Sequence, residues 1–178
     1  VKKHDQSQLT DIEQIPHKTL EEINQGLGKL SSTTVEPEAT IIIPAYNEEK
    51  NLLKTLSSLS KLKSQHSIEI VVVNNNSTDR TQEILDLFEV QSFFEYQSGP
   101  SYARQKALEK ARGKWILCAD ADTIYPPGWA ESLIAPLQDP QIACVYGPYS
   151  FIPDADNSRL FLGFHEMSAE LIFRLRRD

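Results

Sequence analysis

From residue 39 onward the chain alternates short apolar runs with segments whose apolar residues recur every three or four positions. TIIIPA (40–45) and IEIVVV (68–73) are unbroken enough to be strands buried on both faces, and VQSFFEY (90–96) and KWILCA (114–119) are weaker versions of the same pattern. Between them lie helix periods. Leu52, Leu53, Leu56 and Leu59 form a one-sided stripe; Ile84, Leu85 and Phe88 share a face of TDRTQEILDLF; Ala103, Ala107, Leu108 and Ala111 follow a GPS turn. Successive β-then-α units of this kind predict an α/β fold: a mostly parallel sheet with helices on both faces.

After KWILCA, Pro126 and Pro127 fit the first turn of a helix running to about Leu137, because proline has no N–H to leave unpaired there. IACVYGPYSF (142–151) reads as a further strand, and 151–178 as a polar loop followed by a helix. Residues 1–38 lack any strand period and close on the linker-like SSTTVEPEAT. Thr19 and Glu22 have the spacing of a capping box, and Leu20, Ile23, Leu27 and Leu30 that of a short helix, with Gly26 and Gly28 weakening its later turns. The expectation is an appendage to the main fold. Residues 39–150 are then one domain, and 151–178 a loop and helix that follow it.

Composition narrows the function classes. With 178 residues, 40% hydrophobic and 24% charged, the chain can bury one core. A net charge of -7 argues against nucleic-acid binding, which needs a basic surface; the Arg174, Arg176, Arg177 group reads as a solvated helix end. No apolar run approaches a membrane span, so the expected address is cytoplasmic, with the inner face of the membrane as the alternative and peripheral membrane association not indicated. Cys118 and Cys144 lie in apolar runs without metal-ligand spacing, which predicts buried thiols. The chain begins with Val and its final run, HEMSAELIFRLRRD, has no stop signal, which suggests a fragment.

In an open parallel sheet, ligands bind beyond the carboxyl ends of the strands. Three polar groups leave such ends: Tyr46, Asn47 and Glu48; Asn74, Asn75, Asn76, Ser77 and Asp79; and Asp120 and Asp122. Asn47 and Asp79 also read as helix caps, and NNNS as a turn that tolerates left-handed backbone. Two carboxylates one residue apart repel each other unless a cation lies between them. Hard oxygen ligands suit Mg²⁺ or Mn²⁺, which complete their coordination with phosphate oxygens, so the pair points to metal-assisted departure of a diphosphate. A DxD tripeptide arises readily by chance. The second copy, Asp154-Ala155-Asp156, follows Pro153 in a stretch with no strand end and reads as a solvated loop.

PAYNE (44–48), VVVNNNSTDRT (71–81), SYARQKALEKARGKW (101–115) and CADADT (118–123) together resemble the successive signatures of family 2 glycosyltransferases with the Rossmann-like GT-A fold, over about residues 39–150. The resemblance implies a metal-dependent enzyme that passes a sugar from a nucleoside-diphosphate sugar donor to an acceptor hydroxyl of a glycan, lipid or small molecule, typically inverting the anomeric centre. Pro44, Ala45, Tyr46 and Glu48 would line base and ribose. Asn74 and Asn75 stand where the family usually has acidic residues against the base, Arg104 falls in the segment that faces the nucleotide, and Asp120 and Asp122 take the ribose and metal roles. The family's base lies downstream in an acidic motif with no match here. The resemblance therefore implies a chain truncated after its nucleotide-binding portion, with 151–178 as the start of the acceptor-side region and the base expected beyond residue 178; Glu166 is the late candidate within it. Two other readings are a sugar-nucleotide-binding module without turnover and a haloacid-dehalogenase-like phosphatase using Asp120 as nucleophile, whose motif wants Thr or Val where Ile124 stands.

Overall fold

A computed structural model describes residues 13, 15–31, 36–150 and 152. The chain divides into two units, 1–140 and 141–178. In the first, the elements run α1 (His17–Leu30), β1 (Ala39–Ala45), α2 (Leu52–Leu59), β2 (Ile68–Asn74), α3 (Thr81–Leu85), β3 (Gln91–Phe94), α4 (Pro100–Lys110), β4 (Trp115–Cys118) and α5 (Trp129–Leu137). The four strands form a parallel sheet of order β3-β2-β1-β4.

Right-handed crossovers place the helices. The path β1 to β2 to β3 steps one way across the sheet, so α2 and α3 pack on one face, where Leu52, Leu56, Ile84 and Leu85 meet Ile41, Ile43 and Ile68. From β3 the chain returns past both inner strands to the far edge, and α4 packs on the opposite face. That layer is thin. It consists of Ala103 and Ala107 of α4 against Ile42, Val71 and Val73. Strand parity therefore sorts the side chains: Ile68, Ile70 and Val72 face the large core, and Val71 and Val73 face α4.

The N-terminal segment is more than an appendage. Ile23, Leu27 and Leu30 are buried in the large core, and α1 packs across α2. A Cβ on Gly26 would run into Ser60 at the end of α2, so the glycine lets the two helices meet closely. The helix starts two residues before the expected capping box, after Pro16, with no side-chain cap. Pro126 and Pro127 precede α5 instead of opening it: the Trp129 N–H donates to the Pro126 carbonyl in a turn, and Gly128 is the N-cap. In α4 the inward face is Ala103 and Ala107, while Leu108 is exposed.

In the second unit the expected strand at 142–151 does not form over 142–150. An apolar run becomes a strand only with a ladder partner, and none pairs with it among the described residues. The buried-thiol expectation also fails. Cys144 is exposed in this irregular stretch. Cys118 is exposed because β4 is an edge strand and the parity of its side chain puts it on the thinly covered α4 face.

Candidate functional site

The crossover that sends β4 to the far side of β1 opens a crevice at the carboxyl ends of these strands, where chain direction across the sheet reverses. A cavity of about 650 Å³ lies there, lined by Pro44, Ala45, Tyr46, Glu48, Asn75, Ser98, Gly99, Pro100, Arg104, Asp120, Ala121 and Asp122. The lining comes from β1, β2, β4 and the start of α4.

The two loops at one wall lock each other. The N–H groups of Asn47, Glu48 and Glu49 donate to Ser77 Oγ (3.0 Å), Thr81 Oγ1 (2.8 Å) and Asp79 Oδ2 (3.0 Å). In return the Thr78 and Arg80 N–H groups donate to Asn47 Oδ1 (2.8 Å) and Glu49 Oε2 (3.1 Å). Asn47 and Asn76 adopt φ of 55° and 57°, left-handed backbone that asparagine enters more readily than other side chains. Asp79 lies one residue before the N-cap of α3, Arg80, so it is not the cap itself: it accepts the Thr81 N–H in a local turn and serves the neighbouring loop as well. This lock leaves Tyr46 and Glu48 facing the cavity.

At β4 the alternation continues past the strand: Ala119 and Ala121 are buried, Asp120 and Asp122 exposed. Small residues tuck the turn onto the core while the carboxylates face outward. Thr55 of α2 donates its hydroxyl to the Ala121 carbonyl at 2.7 Å, and the Asp120 N–H donates to the Tyr125 phenol at 2.7 Å. Neither Thr55 nor Tyr125 was expected from the sequence; the aromatic five residues after Asp120 was the available signal.

The expected site residues separate. Pro44, Ala45, Tyr46, Glu48, Asn75, Arg104, Asp120 and Asp122 meet at one cavity. Asn74 does not join them. It continues the large-core face of β2, where Nδ2 donates to Gln82 (2.9 Å) and Oδ1 accepts the Ser77 N–H (3.0 Å). Ser98, Gly99 and Pro100 are additional wall residues. Glu166 and the second DAD, Asp154 to Asp156, lie outside the described residues.

Three carboxylates thus share a cavity with one guanidinium, whose Nη2 lies 3.6 Å from Asp120 Oδ1. Burial pushes the Glu48 carboxyl above its usual value; the Asn51 amide opposes this, and the negative charges of Asp122, Asp79 and Asp120 add to it. Among the described residues no group of three His, Cys, Asp or Glu is arranged to hold a metal by itself. A donor set of two adjacent carboxylates with surplus negative charge fits a hard divalent cation that draws its other ligands from a bound phosphate.

The all-parallel sheet order, with helices on both faces and a cavity at the switch point, has the architecture of the GT-A fold. The glycosyl transferase family 2 model matches residues 40–175, and the chain belongs to that family. It is 27% identical over 128 residues to the glycosyltransferase GlyG of Streptococcus pneumoniae, covering 68% of this chain and 42% of that protein. The chain therefore spans less than half of that relative's length. Its fold is similar to Staphylococcus aureus TarS residues 1–349 in complex with UDP-GlcNAc (TM-score 0.52, 24% identity, 66% of this chain and 38% of TarS). It is equally close in fold to a Pyrobaculum calidifontis mannosyltransferase in complex with GDP-Man and Mn²⁺ (TM-score 0.53, 22% identity, 74% and 45%). This membership displaces the phosphatase reading. Among the described residues no helix is long and apolar enough to cross a membrane.

Proposed function

We propose that this chain binds a nucleoside-diphosphate sugar together with Mn²⁺ or Mg²⁺ and forms the donor side of an inverting glycosyltransferase. The observation that carries this is the convergence of Glu48, Asp120 and Asp122 with Arg104 in one cavity at the switch point of the sheet. Asp122 and Asp120 hold the cation, and Arg104 faces the phosphates. Pro44, Ala45 and Tyr46 line the ribose, with Asn75 at the base end. The cation offsets the charge that builds on the departing diphosphate. The chain's own part is to fix the two carboxylates through the backbone bonds at Asp120 and Ala121, and to exclude water from one side of the donor with the Tyr46 and Ser98–Pro100 walls.

Inversion requires a carboxylate within hydrogen-bond reach of the acceptor hydroxyl. That base belongs to the acceptor side, which residues 151–178 begin, and Glu166 is its candidate within the chain. Calorimetric titration with UDP-sugars and GDP-sugars, with and without Mn²⁺, tests the reading. Metal-dependent binding supports it; absence of any nucleotide binding overturns it. Binding without release of nucleoside diphosphate in the presence of acceptors identifies a binding module without turnover.

A further inference from the structure

Thr55 and Ser58 put buried hydroxyls on α2. In a helix such groups ordinarily bond the carbonyl three or four residues back. Thr55 instead donates to the Ala121 carbonyl at 2.7 Å. Ser58 does donate back, to the Thr55 carbonyl at 2.7 Å, and that fixes its rotor so that Oγ accepts the Tyr125 N–H at 3.0 Å. Residues 121–125 are irregular, outside any helix or strand, so buried backbone groups there depend on side chains for their partners. α2 supplies one at each end.

The two contacts are the feet of an arch. Fully extended, the segment from Ala121 to Tyr125 would span about 14 Å, whereas side chains three residues apart on a helix stand roughly 5–6 Å apart. Pinned at that separation, the segment has to bow away from α2. The exposure pattern follows: Ala121 and Tyr125 are buried, and Asp122 and Ile124 between them are exposed. The same helix reaches the facing carboxylate, because the Leu52 N–H donates to the Glu48 carbonyl and the Asn51 amide to Glu48 Oε2, both at 2.9 Å. Glu48 and Asp122 are therefore both held relative to α2.

We infer that Ser58 is a positioning residue for the cation: together with Thr55 it pins the arch that presents Asp122 to the cavity. The inference rests on the reading of Asp122 as a cation ligand, and it puts control of that carboxylate in two side chains that do not themselves line the cavity. Without the Ser58 hydroxyl the buried Tyr125 N–H loses its acceptor, and that foot of the arch comes loose. Tyr125 also holds the Asp120 N–H, so both carboxylates feel the change. The Pro44, Ala45, Tyr46 and Asn75 walls make no contact with either hydroxyl among those that hold the arch. The effect therefore falls on the metal more than on the nucleotide. Side chains that support metal ligands typically carry about ten- to a hundredfold in metal affinity.

The test titrates Mn²⁺ at saturating UDP or GDP, whichever the wild type binds, and the nucleotide at saturating Mn²⁺, in Ser58→Ala, Thr55→Val and Thr55→Ser. Amide exchange over 121–125 is followed in the metal-free protein, and melting curves check each fold. Ser58→Ala and Thr55→Val lose about tenfold or more in Mn²⁺ affinity, exchange faster over 121–125, and keep nucleotide affinity at saturating Mn²⁺ within about twofold. Thr55→Ser retains a hydroxyl and behaves as the wild type. Glu69→Gln removes a staple at the other end of the sheet and keeps wild-type Mn²⁺ affinity, which separates positioning from a general loss of stability. Wild-type Mn²⁺ affinity in folded Ser58→Ala, equal losses in Thr55→Ser and Thr55→Val, unchanged amide exchange, or an equal loss in Glu69→Gln each overturn the inference and leave the donor-site reading standing. If Ser58→Ala does not fold, the two Thr55 variants decide. Absence of Mn²⁺-dependent nucleotide binding in the wild type overturns the donor-site reading and this inference with it.

Discussion

Tyr125 holds Asp120 by its backbone and leaves the carboxylate facing the cavity and Arg104. The phenolic oxygen accepts the Asp120 N–H at 2.7 Å, and the hydroxyl reaches back to the Asp120 carbonyl at 3.3 Å. The ring itself is buried and packs on Trp129 with centroids 4.4 Å apart. Tyr125→Phe keeps that packing and removes only the clasp. The expected result is a fold intact but less stable by about 1 kcal/mol, with Mn²⁺-dependent nucleotide affinity down roughly fivefold as the carboxylate pair loosens. Unchanged affinity in calorimetry would show that β4 alone sets the turn.

The same phenol carries an alkaline signature. Burial, opposed by hydrogen bonds to the Asp120 backbone and Thr123 and helped by the charges of Asp120 and Asp122, pushes Tyr125 up to about 12. An unfolded tyrosine titrates near ~10. Between these values the unfolded chain releases a proton that the folded chain retains, so stability falls as pH rises through that window. Urea unfolding at stepped alkaline pH should show this fall in the wild type and a shallower one in Tyr125→Phe.

The two DAD tripeptides give a direct comparison. Asp122→Ala removes a carboxylate from the cavity and should abolish metal-dependent nucleotide binding. Asp154→Ala, with no strand end before it in the sequence, should leave binding nearly unchanged. Parallel titrations with and without Mn²⁺ decide, and equal losses in both would mean that position at a strand end does not distinguish them.

Much of this was legible because the strongest sequence signals lie where burial is complete. β1 and β2 are inner strands covered on both faces, so their runs are almost wholly apolar, and the α2 stripe is buried throughout. Legibility fails where parity or pairing decides. Asn74 and Asn75 are adjacent and identical, yet one faces α3 and the other the cavity; counting by twos from Ile68, Ile70 and Val72 would have separated them. The run at 142–150 carries the right residues for a strand, but composition cannot supply a partner. α1 looked peripheral because its exposed face is polar, although its three buried residues close the large core.

Glu69 shows how the other end of the sheet is secured. It is 2% exposed in the middle of the fold, yet its oxygens accept from the Thr40 hydroxyl (2.7 Å), the Gln91 amide (2.9 Å) and the Arg112 N–H (2.7 Å) and guanidinium (2.7 Å). Burial alone would raise its carboxyl; these donors outweigh it and hold the group below the usual range. The stabilisation is complete above the unfolded value of ~4.3 and is lost as pH falls through the folded one. Glu69→Gln should cost about 2 kcal/mol near neutrality, flatten the acid limb of the stability curve and leave nucleotide binding unchanged. A binding defect equal to that of Asp122→Ala would contradict the separation of site and staple.

Gly26 and Gly28 stand two positions apart in α1 and should respond with opposite sign. Glycine inside a helix costs roughly 0.5–1 kcal/mol relative to alanine. At Gly28 a Cβ meets nothing within 4 Å, so Gly28→Ala should stabilise the protein by about that amount. At Gly26 the added carbon would collide with the backbone carbonyl of Ser60, which is rigid where α2 ends. Relief requires α1 to lift from α2, thinning the contacts of Ile23 and Leu27 with the core. Gly26→Ala should therefore destabilise by about 1–3 kcal/mol despite its better helix propensity. Melting curves of the two variants measure the difference, and a stabilised Gly26→Ala would mean that α1 does not press on α2 in solution.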